Sequence, residues 1–242
     1  MILNVYKERT WTSFDVVAKV KNVLKVNKAG HAGTLDPLAE GVLIVLTDED
    51  TKRQSEFMGL EKEYKFAVAF GMTSPTYDLE GDLKVHPIPV TFKLGSILTN
   101  ELLAKYIGKI TQTVPPFSAV KVDGQRLYKK ARAGNIDDIE LPDREVEVKS
   151  FSINSISYLS PVGFAKLYGK DVSNLGVQVI PVLDCTIICS KGTYIRSIAN
   201  DLGADVGVGG VLAKLVRTRV GDFSFNDSVL IDALGAVVTD KS

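Results

Sequence analysis

The sequence predicts an α/β (α+β) fold, and three stretches carry that prediction. Val42-Leu43-Ile44-Val45-Leu46 is a short continuous apolar run of the kind a fully buried strand shows. Tyr64, Phe66, Val68 and Phe70 alternate with Lys65, Ala67 and Ala69, as in a strand with one aromatic face. Phe14, Val17, Val20 and Leu24 recur at helical spacing behind Thr12 or Ser13, either of which can cap a helix ending before Asn27.

That helix delivers the chain into Gly30-His31-Ala32-Gly33-Thr34-Leu35-Asp36-Pro37-Leu38-Ala39-Glu40-Gly41. Pro37 fixes its own φ and biases Asp36 toward extended backbone, while Gly30, Gly33 and Gly41 admit turns or close approaches that other residues resist. Asp36 therefore sits in a shaped loop at the mouth of a core strand. An Asp before Pro is most often a turn residue, so on these residues alone a structural and a catalytic role both stand.

Beyond the second strand, Gly, Pro, Asp and Ser are dense from Met72 to Pro89, which predicts a loop, and Thr99 or Asn100 caps a short helix ending at Gly108. Pro115 to Arg126 reads as an extended arm turning at Asp123-Gly124, followed by a basic helical stretch, Leu127 to Arg132, that stops at Gly134. Val146, Val148, Phe151, Ile153 and Ile156 suggest another strand, and Ser160 to Gly176 a polar, glycine-bearing excursion. Val182 to Cys189 is a strand leading into a helix from near Thr193 to near Gly203, with Tyr194 and Arg196 in its first turns. Gly207 to Gly210 is expected to open a helix containing Leu212 and Leu215, and Arg217 to Phe223 to close the fold as a strand.

Composition narrows the class. With 242 residues, 45% of them hydrophobic and 24% charged, the chain has enough apolar material for a sizeable core. No apolar run approaches the roughly 20 residues of a membrane helix, and the start lacks a signal peptide's basic-then-apolar order, so a cytoplasmic location is expected. Cys185 and Cys189 share a strand face too far apart for a favoured disulfide and read as buried thiols. His31 and His86 are the only histidines, so a metal site would have to be built mainly from carboxylates; no metal and no cofactor are expected. Net charge is zero, but it is unevenly spread: residues 1–34 hold six Lys/Arg against two acids, and Lys121 to Arg132 hold five against Asp123. Acids concentrate at Asp137, Asp138, Glu140, Asp143, Glu145 and Glu147, leaving a basic face suited to phosphate.

The intact Gly-His-x-Gly-x-Leu-Asp-Pro run resembles the signature of the TruB-type tRNA pseudouridine synthases, where it carries the catalytic aspartate. Glu63-Tyr64-Lys65 is similar to the segment with that family's active-site tyrosine, and Lys191-Gly192-Thr193-Tyr194-Ile195-Arg196 to its second active-site motif. The likeness runs from about Leu3 to about Leu234. Two departures stand out: Tyr6-Lys7-Glu8-Arg9-Thr10 keeps only the lysine of the usual Asp-Lys-Pro-x-Gly, and Val216-Arg217 stands where two adjacent arginines are common.

The resemblance implies a mixed, mostly antiparallel central sheet flanked by helices. It implies a catalytic domain with an RNA-clasping insertion at about 115–134; the short stretch after Leu234 leaves no room for the PUA domain that many members append, so a single domain over 1–242 is expected. The implied activity is isomerisation of the T-loop uridine of tRNA, position 55, by a monomer. That reaction breaks a glycosidic C–N bond and re-joins the base through carbon, so it needs a nucleophile, but neither a redox partner nor a metal. Asp36 would be the nucleophile, attacking C1′ of the ribose or C6 of the base. An ionised carboxylate in a water-poor pocket needs a fixed cation, and Arg196 matches it. The uridine must be flipped out, with Tyr64 as its stacking platform and an aid to proton transfer at C5. Tyr194 and Leu212 would line the pocket, and His31 would insert beside the base, meet a phosphate or simply pack the loop. Lys7, Lys129, Lys130 and Arg132 would bind RNA. Two other classes remain open: a non-catalytic tRNA-binding and folding module, and a glycoside hydrolase pairing Asp36 with a second acid such as Glu40.

Overall fold

All three predicted stretches form regular elements in the computed structural model, which describes residues 1–89, 91–122, 124–133 and 140–235. The chain begins with β1 (Ile2–Lys7), α1 (Ser13–Leu24), β2 (Ala29–Ala32), β3 (Glu40–Thr47), a 3-10 helix over Asp48–Arg53, α2 (Gln54–Gly59) and β4 (Lys62–Phe70). Next come β5 (Met72–Thr73), β6 (Lys84–Val85), α3 (Leu94–Ile97), α4 (Asn100–Ala104), β7 (Gly108–Thr113), β8 (Lys121–Val122), β9 (Gln125–Arg126) and α5 (Leu127–Arg132). The remainder is β10 (Asp143–Leu159), α6 (Pro161–Tyr168), β11 (Ile180–Cys189), α7 (Ile195–Val206), β12 (Gly210–Val220), β13 (Phe223–Ser224) and β14 (Val229–Leu230). Two compact units result, one of Met1–Lys65, Ile188–Lys191 and Leu215–Ser242, the other of Phe66–Ile187 and Gly192–Lys214. β4, β11 and β12 each contribute residues to both.

In the first unit, β1 pairs antiparallel with β3 and parallel with β14, β2 lies antiparallel to β3, and β12 runs parallel to β3 with Arg217 opposite Gly41. The apolar run of β3 is continuous because both its faces are covered. Leu43 and Val45 pack with Leu3, Val5, Val16, Val17 and Val20 on one side, while Val42, Ile44 and Leu46 meet Ala32, Phe57 and Val220 on the other. α1 starts at a capping box: Thr12 accepts from the Asp15 N–H, and Asp15 accepts from that of Thr12.

In the second unit the strand order is β4-β11-β10-β7, with β10 antiparallel to β7. Phe66 stacks on Phe151 at 5.8 Å, and Tyr106 meets Phe151 edge-on at 6.1 Å. Cys185 and Cys189 are buried, free thiols. β8 and β9 form the expected hairpin before α5. Asp123, Gly134, Asp137 and Asp138 lie outside the described residues. The strands are thus mixed and mostly antiparallel, with helices flanking them. No helix of the described residues is long and apolar enough to cross a membrane.

Several elements differ from expectation. Leu212 and Leu215 lie on a strand, β12; their spacing of three suits a helix, but β12 pairs with β3 at Val216 and Arg217 and with β13 at Arg219 and Val220, and a Cβ on Gly210 would stand 2.7 Å from the Ala199 carbonyl oxygen. The excursion after Ser160 is a helix, α6, with Ser160 as N-cap, Pro161 in its first turn and Gly169 as left-handed C-cap, burying Phe164 and Tyr168. α7 begins two residues later than expected and ends at Val206. α4 is capped by Thr99 but stops at Ala104, and Gly108 opens strand β7.

Candidate active site

The loop carrying Asp36 is braced from three elements of the first unit. From α1, the Ser13 hydroxyl accepts from the Leu35 N–H at 2.9 Å and donates to the Leu35 carbonyl at 3.1 Å, pinning the residue before Asp36. From the end of β1, Lys7 donates through Nζ to the carbonyls of Glu8, Trp11 and Pro37 at 3.0, 2.6 and 3.2 Å. From β12, Arg217 donates through Nε to Val42 at 2.7 Å, through Nη2 to Gly33 at 3.0 Å and, at the long end, through Nη1 to Thr34 at 3.5 Å. Gly33 and Gly41 sit at φ +95° and +105°. A Cβ on Gly41 would stand 2.2 Å from the Arg217 carbonyl oxygen, so glycine is required where β3 and β12 meet. Asp36 itself is half-buried, its carbonyl accepting from the Ala39 N–H at 3.0 Å.

Lys7 is a correction to the expected RNA contacts. It is 0% exposed, with no surface to offer a phosphate, and its ammonium serves three main-chain carbonyls. Burial pulls its pKa down from 10.5 to about 8, against the attraction of Asp36 and Glu40. Glu40 accepts a hydrogen bond from the Tyr6 phenol at 3.0 Å; burial and Glu40 push that phenol up to about 12.

Tyr64 lies two residues after Lys62 on β4 and shares its buried face. Lys62 gives its ammonium to the carbonyls of Met58 and Leu60, and burial with the nearby Arg217 charge lowers it to about 8. Burial pushes the Tyr64 phenol up, while Arg217, acting as charge and as hydrogen-bond donor, opposes that shift. His31 is half-buried, and burial plus Arg217 lower its pKa; its Nδ1 is buried without a hydrogen-bond partner among the described residues. A neutral imidazole suits packing against a base better than charge pairing with phosphate. The Arg217 charge thus acts on Tyr64, His31 and Lys7, and the Asp36 carboxylate on Lys7 and Tyr64.

In the second unit Tyr194 caps α7 and Arg196 lies in its first turn. Arg196 is 4% exposed; it donates to the carbonyls of Thr76 at 2.8 Å and Phe117 at 3.0 Å, and its Nε stands 3.9 Å from Asp78. Asp78, also buried, accepts from the Thr76 hydroxyl at 2.6 Å and the Glu80 N–H at 3.0 Å. Tyr194 is held by its backbone, which exchanges hydrogen bonds with the buried Gln112 side chain. Leu212 is buried and donates its N–H to Tyr77. Lys129 and Arg132 are exposed on α5, Lys130 is half-buried there, and the Arg132 guanidinium lies 5.8 Å over the Tyr128 ring.

Sequence reasoning did not anticipate Arg217, Asp78, Thr76 or Lys62. Arg217 was visible only as the survivor of a usual arginine pair; nothing local marks it as buried. No group of three or more His, Cys, Asp or Glu side chains among the described residues could hold a metal ion.

Comparison with known proteins follows the same lines. The family profile described as "TruB family pseudouridylate synthase (N terminal domain)" matches residues 21–195. The tRNA pseudouridine synthase B of Flavobacterium johnsoniae is 37% identical over 235 residues, covering 94% of this chain and 91% of that protein. That of Thermobifida fusca is 39% identical, covering 98% and 75%, and that of Lactococcus lactis strain MG1363 is 37% identical, covering 96% and 65%. Among solved structures, the "Crystal Structure of a Cbf5-Nop10-Gar1 Complex" superposes with a TM-score of 0.65 at 24% identity, over 100% of this chain and 56% of that one, which is a likeness of fold. The chain belongs to the TruB family of pseudouridylate synthases.

Proposed function

We propose that the protein isomerises uridine to pseudouridine in the T loop of tRNA, at position 55, acting as a cytoplasmic monomer. The observation that carries this reading is the single carboxylate of Asp36 on a loop braced from α1, β1 and β12, with the Tyr64 phenol and the Arg217 guanidinium in the same cluster. A nucleophile held this way meets its target without loss of orientation, and one carboxylate suffices for an isomerisation that neither gains nor loses atoms. Asp36 attacks C1′, displacing N1, or adds to C6, after which the N1–C1′ bond breaks; the base turns, C5 bonds to C1′, the bond from Asp36 to carbon breaks to free the carboxylate, and the proton lost from C5 is matched by one gained at N1.

Tyr64 supports the flipped base and assists that proton transfer, and Arg196 is the fixed cation of the reaction. Tyr194, Leu212 and His31 are each assigned to the base, and Lys129, Lys130 and Arg132 to phosphates. Lys7 braces the loop. Glu40, the candidate second acid of a glycosidase, is engaged by Tyr6, which favours the isomerase. Incubation with an unmodified tRNA transcript, followed by carbodiimide treatment and reverse transcription, should give a stop only in the T loop. No stop, or stops elsewhere, would overturn the proposal.

A further inference from the structure

Arg217 is 1% exposed, and its hydrogen bonds go to three neutral backbone carbonyls. Burying a cation on neutral acceptors is a costly way to tie down a loop, and neutral donors would serve for that alone. Its placement is specific. Gly33 and Thr34 lie on the incoming arm of the Asp36 loop and Val42 on the outgoing arm, so one planar group spans both. The two positive-φ glycines framing the loop both back onto this residue: a Cβ on Gly33 would lie 3.5 Å from its Nη1, and one on Gly41 would strike its carbonyl oxygen.

We propose that Arg217 is a positioning residue for pseudouridine formation, its guanidinium fixing the two arms of the Asp36 loop as one unit. The carboxylate is thereby aimed by a group that touches neither substrate nor reacting atoms. The inference rests on the proposed function, and one set of measurements separates the two.

Single-turnover rates at saturating T-arm stem-loop, and the Kd for that RNA, are measured for the wild type, Arg217→Lys and Arg217→Gln. Arg217→Gln should slow the rate about 100-fold with Kd changed by less than about threefold, a split that general unfolding would not give. Arg217→Lys, which keeps the charge but loses the fork, should fall in between, about tenfold slow. If Arg217→Gln fails to fold, the lysine variant carries the test. Wild-type rates in Arg217→Lys, or effects that appear in Kd alone, would overturn the inference. An inactive wild type would instead overturn the proposed function.

Discussion

Replacing Lys7 by methionine, which keeps the stem and removes the ammonium, should destabilise the protein at neutral pH and widen that deficit as pH rises above 8. The magnitude follows from its partners. The Pro37 carbonyl keeps a donor in the Thr10 N–H at 2.8 Å, whereas the carbonyls of Glu8 and Trp11 lose the one Lys7 provides. Two stranded buried carbonyls cost about 2–6 kcal/mol. Against this, a lysine pulled from 10.5 to about 8 is charged at neutral pH at a cost of up to about 3 kcal/mol, which methionine is spared. Taking the middle of the carbonyl range, about 4 kcal/mol, against about 3, the net deficit at pH 7 is about 1 kcal/mol.

Between pH 8 and 10.5 the folded wild type sheds the Lys7 proton while the unfolded chain keeps it. The unfolded state binds more protons there, so wild-type stability rises with pH, and the methionine variant lacks that term. Lys62, lowered in the same way, is present in both proteins and cancels in the difference. Urea denaturation of both proteins at about pH 7, 8, 9 and 10 should show the gap widening by up to about 3 kcal/mol. A constant or narrowing gap, or a methionine variant more stable at pH 7, would refute the reasoning.

Arg196→Lys should lose about 100-fold or more in turnover while remaining folded, since an ammonium cannot serve the Thr76 and Phe117 carbonyls as a fork; near-native rates would demote Arg196 to a general electrostatic role. Gly41→Ala should destabilise by about 3 kcal/mol or more, because a Cβ meets the Arg217 carbonyl oxygen at positive φ, whereas Gly30→Ala, with nothing within 4 Å, should stay within about 0.5 kcal/mol in the same melts. A T-arm stem-loop should be a competent substrate. Replacing Lys129, Lys130 and Arg132 together by alanine should weaken its binding and flatten log K against log salt by up to roughly two, with turnover at saturation changed much less; an unchanged slope would remove these residues from the RNA contact.

What could be read from the sequence was what depends on near neighbours. Thr12 and Asp15 close a cap within one turn, the apolar run of β3 reports burial on both faces, and the shape of the Asp36 loop is written in Pro37, Gly33 and Gly41 themselves. The misreadings came from long-range partners. Leu212 and Leu215 fit helical spacing, but the contact of Gly210 with Gly203 and the pairing of Arg217 with Gly41 select a strand. Arg217 finds its acceptors 175 to 184 residues earlier in the chain, so its side chain looks like any strand-borne arginine until those carbonyls are placed. Lys7 reads as an RNA-binding cation for the same reason: the carbonyl of Pro37, thirty residues on, turns a surface cation into a buried brace. For α6 the local signals were present, Ser160 and Pro161 before it and Gly169 after, and were outweighed by the polarity of the stretch.

The central claim is that Asp36 is the nucleophile of uridine isomerisation, and Asp36→Asn tests it most directly. The amide preserves shape and hydrogen-bonding capacity but cannot attack carbon. With unmodified tRNA transcript, carbodiimide mapping under single-turnover conditions should show no T-loop stop for the variant, while its Kd for the tRNA stays within about threefold of the wild type. Readily measurable pseudouridine formed by the pure variant would contradict the assignment.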